Sequence, residues 1–169
     1  GTDMYIARFG TLNTITWGTY VGGSSNDVFN DLEVIADGRV AFAGYGAGSL
    51  TEVNSAAGRS TGTDNDGIIG VLNSAGTSFN YLDEIGGAGA DQILDVEIVG
   101  NTLYWTGSAS SGFPTSSGTY DTSHNGGTDV IVGSCSTAGG SAGYTATFYG
   151  GGGNDIGSCL KLVTQTSCD

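Results

Sequence analysis

Tyr20-Val-Gly-Gly-Ser-Ser-Asn-Asp27 returns 64 residues later as Glu84-Ile-Gly-Gly-Ala-Gly-Ala-Asp91, and 64 later again as Phe148-Tyr-Gly-Gly-Gly-Gly-Asn-Asp155. Upstream, Asp3-Met-Tyr-Ile-Ala-Arg-Phe9 matches Asp66-Gly-Ile-Ile-Gly-Val-Leu72 and Asp129-Val-Ile-Val-Gly-Ser-Cys135, at a spacing of 63. Downstream, Asp31-Leu-Glu-Val-Ile35 matches Asp95-Val-Glu-Ile-Val99 and Cys159-Leu-Lys-Leu-Val163, and Val40-Ala-Phe-Ala-Gly44 matches Leu103-Tyr-Trp-Thr-Gly107. Four blocks in one order make an internal repeat. The 169 residues are therefore one repeat domain, 1–169, with units at about 3–65, 66–128 and 129–169.

Each unit holds four short strands, A to D. They are expected near 3–9, 14–21, 31–36 and 39–45 in the first unit, and near 67–72, 77–85, 94–99 and 102–107 in the second. The third has A near 129–135, B near 143–149, C near 158–163 and a stunted D around 165–168. Strand A is apolar at successive positions (Ile68, Ile69, Val71, Leu72), as in a strand covered on both faces. Ala7, Gly70 and Gly133 share one column, where a close neighbour leaves no room for a side chain. Asp37-Gly38 and Gly100-Asn101 are tight-turn residues linking C to D. The D-to-A connectors, 46–65 and 108–128, are long and rich in Gly, Ser and Thr. With 32 Gly among 169 residues, long helices are ruled out, each helical Gly costing about 1 kcal/mol against Ala. The fold class expected is all-β: three four-stranded antiparallel blade-like repeats of propeller type, with the ring incomplete in one chain, since propellers close with four or more blades.

These residues resemble the bacterial SBBP-type repeat, a seven-bladed β-propeller-type family. Its pattern is Tyr-Leu-Gly-Gly-Ser-Gly-x-Asp, an Asp-x-x-Gly-Asn turn, then an aromatic strand ending in Gly. Thr106-Gly107-Ser108 and Gly112-Phe113-Pro114-Thr115 are similar to the same family's Thr-Gly and Phe-Pro-Thr segments. The resemblance covers nearly the whole chain. It implies an extracellular or cell-surface scaffold without a known catalytic site.

Charge narrows the partners. Four basic residues stand against 17 acidic ones, a net charge of −13, so a phosphate backbone finds no basic cluster and nucleic acid is excluded. No apolar run approaches the ~20 residues of a membrane span, so membrane insertion is not expected. Few Lys, abundant Gly, Ser and Thr, and Cys gathered at one end point to export, and a chain opening on Gly1-Thr2-Asp3 to a processed form or a fragment.

Candidate sites are few. Gly86-Gly87-Ala88-Gly89-Ala90-Asp91 fits the calcium β-roll nonapeptide, but that motif recurs every nine residues. The recurrence at 64 makes Asp27, Asp91 and Asp155 turn residues that cap backbone N–H groups. Asp64 and Asp66 begin like a calcium loop that lacks its closing Glu, leaving a weak structural Ca²⁺ site or an Asx-turn; no other cofactor is expected. Cys135, Cys159 and Cys168 do not have zinc-site spacing with His124. A disulfide between Cys159 and Cys168 would staple the third unit, leaving Cys135 as a buried thiol or a link to another chain. Asp27/Asp31 and Asp91/Asp95 are carboxylate pairs, but they recur, and Cys159 replaces the member equivalent to Asp31 and Asp95. The lone His124 sits in a Gly/Ser loop, expected in solvent. No catalytic residues are assigned.

The function expected is a secreted structural protein. It assembles with itself through exposed strand edges, as a homo-oligomer or a filament of the cell surface. The alternative is an adhesin fragment that binds glycan or protein through Tyr45, Phe113, Tyr120 and His124 on the long connectors.

Overall fold

The computed structural model describes residues 1–48, 50–55, 64–141 and 143–163. Among them are ten strands and one short 3-10 turn, Thr11–Asn13: β1 Met4–Phe9, β2 Ile15–Val21, β3 Asp27–Val34, β4 Val40–Gly46, β5 Asp66–Leu72, β6 Phe79–Ile85, β7 Gln92–Val99, β8 Thr102–Ala109, β9 Asp129–Ser136 and β10 Thr145–Tyr149. The protein is all-β, with antiparallel sheets of two, four and four strands in the orders β1-β2, β3-β4-β5-β6 and β10-β9-β8-β7. Among the described residues no helix is long and apolar enough to cross a membrane.

The sheets are out of phase with the sequence repeat by half a unit. Each four-stranded sheet takes strands C and D from one repeat and A and B from the next. Gly22–Asn26 and Gly86–Ala90, short enough for hairpin loops, instead carry the chain from one sheet to another.

The three sheets stack. Met4, Ile6 and Val21 meet Phe42, Ile68, Leu72 and Leu82 in one apolar cluster. Ala41, Ala43, Ile69, Val71, Tyr81 and Ile85 meet Leu103, Trp105, Ile131, Cys135 and Phe148 in the other. The middle sheet is covered on both faces, and every residue of β5 is buried, as the unbroken apolar pattern predicts. β9 alternates instead, because only one of its faces is covered.

The small-residue column has a direct cause. β4 and β8 set Phe42 opposite Gly70 and Trp105 opposite Gly133. A Cβ at Gly70 would stand 2.3 Å from the Phe42 ring, and one at Gly133 would stand 2.0 Å from Trp105. The aromatic of strand D lies across the glycine of strand A.

One expectation is corrected. Residues 158–163 do not form a strand; Leu160 and Leu162 donate to side chains rather than to a neighbouring strand. The proposed D strand at 165–168 lies outside the described residues.

The long connectors protect sheet edges. Val53 exchanges backbone hydrogen bonds with Leu82 on β6. Ser116 and Asp121 bond to Ala146 and Phe148 on β10. An edge so covered cannot recruit another strand. β1, by contrast, is paired only with β2 among the described residues.

Candidate functional site

The motif aspartates are structural clips, as their recurrence implies. Gly23 N–H donates to Asp27 Oδ2 at 2.9 Å, Gly87 N–H to Asp91 Oδ2 at 2.6 Å, and Gly151 N–H to Asp155 Oδ2 at 2.9 Å. The aspartates' own N–H groups donate to the carbonyls of Thr2, Asn65 and Thr128, at 2.7 Å in each case. One residue thus ties its loop to the chain entering strand A. Asp91 also accepts Ser110 N–H at 2.7 Å.

A second recurring contact joins successive C segments. Asp31 Oδ2 accepts Val96 N–H at 3.1 Å, and Asp95 Oδ2 accepts Leu160 N–H at 2.5 Å, 64 residues further on. Glu97 accepts Leu162 N–H at 3.1 Å and pairs with the Lys161 ammonium. The third unit carries Cys159 and Lys161 where the others have Asp and Glu. It receives these contacts and, lacking carboxylates there, cannot offer them onward.

Burial holds the Asp91 carboxyl above its ordinary range despite its N–H donors. Burial also raises Asp27, with Asp3 adding to it, and raises Asp95, where the neighbouring Asp31 carboxyl adds to the effect. Exposed Asp37 and half-buried Glu97 are lowered, Asp37 chiefly by Arg39 N–H and Glu97 chiefly by Lys161. A carboxyl whose folded pKa is raised binds its proton more tightly in the folded state. Its contribution is fully present below the unfolded value near 3.8 and lost as pH rises through the folded value. Asp27, Asp91 and Asp95 are therefore expected to make the melting temperature fall as pH rises from the ordinary carboxylate value through their raised ones; thermal melts stepped upward from about pH 4 check this, and a steady rise would refute it.

The individual candidates separate. Phe113 is not a contact residue: it is buried in the core, 6.0 Å from Trp105 and 6.3 Å from Phe148 between ring centroids. Tyr45 is half-buried within β4. His124 is not free in solvent either; its Nε2 lies 3.0 Å from Gly127 O and its ring packs on Phe148. Tyr120 alone stands fully out, 80% exposed. Asp64 is exposed and Asp66 is buried at the head of β5, and no group of three metal-ligating side chains occurs among the described residues. The expected disulfide finds no support: Cys159 is a free, exposed thiol, and Cys168 lies outside the described residues. Cys135 is a buried thiol whose pKa burial pushes up to about 12, which leaves it protonated and unreactive.

Among the described residues, the outer face of the β1–β2 layer is uncovered. Met4 and Ile6 point into the stack, while Tyr5 and Phe9 point away and are 49% and 62% exposed. Tyr20 on β2 is 71% exposed, its ring 4.8 Å from that of Tyr5. Leu12 and Ile15 extend this apolar surface. Ala7 occupies the column filled by Gly70 and Gly133, with no strand D beside it among the described residues. Sequence reading missed this surface, because the repeat makes strand A look equally buried in all three units. It also missed Tyr149, whose signal is positional: it stands where Val21 and Ile85 are buried, yet is 63% exposed.

No protein-family model matches the chain, and no curated protein matches it.

Proposed function

We propose that this chain is a non-catalytic structural β-repeat protein of the extracellular type, which associates with a second copy of itself through β1–β2. The observation that carries this reading is the unpaired edge of β1. Strand A has a strand D beside it in the other two units, as β4–β5 and β8–β9, and an unpaired edge is a template for another strand.

An antiparallel pair of β1 strands is two-fold symmetric. Centred on Ala7, it sets Tyr5 opposite Phe9 of the other copy and completes a four-stranded β2-β1-β1-β2 sheet, the size of the other two. The half-repeat offset of the sheets supports the propeller-type reading, in which further strands finish the ring. A filament would need a second adhesive end, and the opposite end of the stack mixes hydroxyl-bearing residues with Val132 and Ile156 and has no counterpart of the β1 edge among the described residues.

Sedimentation equilibrium is expected to give twice 16.9 kDa, and a monomer across the micromolar range would refute the proposal. Ala7→Asp sets like charges opposite one another on the axis and is expected to weaken the pair by at least about tenfold. Because each copy carries −13, dimerisation is expected to tighten as NaCl rises from about 20 to about 300 mM, where the screening length shrinks to several ångströms. Weakening with salt would mean that ion pairs, not apolar contact, hold the dimer.

A further inference from the structure

We propose that the outer face of the β7–β10 sheet is a groove that binds a neutral polysaccharide. Three observations point there, and none depends on the self-association of β1–β2.

The first is a substitution pattern. On the middle sheet, the positions facing the next layer are Ala41, Ala43, Ile69, Val71, Tyr81 and Ile85, all buried in the apolar cluster. At the equivalent positions the third sheet carries Tyr104, Thr106, Val132, Ser134, Thr145 and Tyr149. Five of these six bear hydroxyls; Thr106 is buried and donates to Ile131 O, Ser134 and Thr145 bond one another, and Tyr104 and Tyr149 lie nearer the surface. A face meant to seat another sheet would stay apolar; this one is built to meet hydrogen-bonding groups.

The second is a cleft at the end of that face, of about 630 Å³, inside the range of small-molecule sites. The exposed rings of Tyr120 and Tyr149 lie 5.7 Å apart at 34° on its wall. Asp121 and Asp155 supply carboxylates, with Val130 and Ile156 as apolar lining. The tyrosines are held in place: Asp121 N–H donates to Thr147 Oγ1 at 2.9 Å, and Phe148 N–H to Asp121 O at 2.9 Å. A second hollow of about 230 Å³ continues along the face past Thr119, Ser134, Thr145 and Thr147.

The third is the bareness of the loop at the cleft. Gly152 and Gly153 replace Ser24-Ser25 of the first unit and Ala88-Gly89 of the second. A Cβ on Gly151, Gly152 or Gly153 would meet nothing within 4 Å, and none of the three has positive φ. Neither packing nor backbone conformation demands glycine there, so the space is kept for something outside the protein.

The chemistry selects the ligand. A pyranose ring has an apolar face of C–H groups that packs on an aromatic ring, and hydroxyls around its rim that donate to carboxylates and exchange hydrogen bonds with Thr and Ser. No Lys or Arg lines either hollow, so acidic glycans are unfavourable here. Two hollows on one face fit successive sugars of a chain.

The test is calorimetric titration of the whole chain with neutral hexasaccharides of glucose, mannose and galactose, and with tetramethylammonium as a cationic probe. At least one hexasaccharide is expected to bind. Tyr120→Ala and Tyr149→Ala, both at exposed positions, are each expected to weaken it by about tenfold, and Gly152→Phe to abolish it by filling the cleft. Tyr5→Ala, at the far end of the stack, leaves it unchanged. No binding of any hexasaccharide at ~10 mM, a Kd equivalent to under about 3 kcal/mol, overturns the proposal. So does binding that survives Gly152→Phe in a variant with wild-type circular dichroism, or binding of tetramethylammonium alone.

Discussion

Trp105→Ala is expected to destabilise the protein by about 4 kcal/mol, among the larger costs of removing one core side chain. Trp105 is fully buried on β8. Its indole lies across Gly133, and its ring centroid is 6.0 Å from that of Phe113 and 6.3 Å from that of Tyr144. It therefore holds together β8, β9, the connector bearing Phe113 and the approach to β10. Glycine beneath the ring has no side chain to collapse into the space, so the cavity persists and adds to the lost transfer energy. For a chain of this length the melting temperature should fall by about 8–16 °C. A fall of only two or three degrees in a calorimetric melt would mean that the indole is not the keystone of this layer.

The second large effect is expected at Asp91. Asp91→Ala strands the Gly87 and Ser110 N–H groups, and each unsatisfied buried donor costs about 1–3 kcal/mol; the total is about 3 kcal/mol. Asp91→Asn keeps an acceptor and should cost about 1 kcal/mol. The same motif should be worth less elsewhere: the Asp27 carboxylate accepts the Gly23 N–H in a less enclosed loop, and Asp155 is only half-buried. Urea titrations of the three alanine variants should rank the losses as Asp91, then Asp27, then Asp155. Equal losses would show that motif geometry, not burial, sets the energetics.

Strands A, B and D of the first two units were readable to within about two residues, since alternation and turn chemistry are local. The C strands were read late: β3 begins at Asp27 rather than 31, and β7 at Gln92 rather than 94. Both strands carry a register shift, between Phe29 and Asp31 and between Ile93 and Asp95. A bulge breaks the two-residue alternation, so the pattern is recognisable only after it. Phe113 looked like a loop aromatic because connector residues are polar on average. Its burial depends on the cavity beside Trp105, which no local pattern records. Of the two surfaces now proposed to bind, only Tyr120 was visible beforehand.

The repeat, the all-β class, the aspartate turns and the small-residue column follow from the sequence alone, because each is set by residue types recurring at a fixed spacing; that an aromatic of the preceding unit fills the column is seen only in the structure. Which strands share a sheet does not follow from it. A repeat is unchanged by moving its starting point, so A-B-C-D and C-D-A-B look the same in the chain. Hydrogen bonding and the stacking of apolar faces choose between them. The two ends of the stack are likewise decided in three dimensions: a strand or face is exposed or covered only by what lies beside it, and that neighbour is some 60 residues away in the chain.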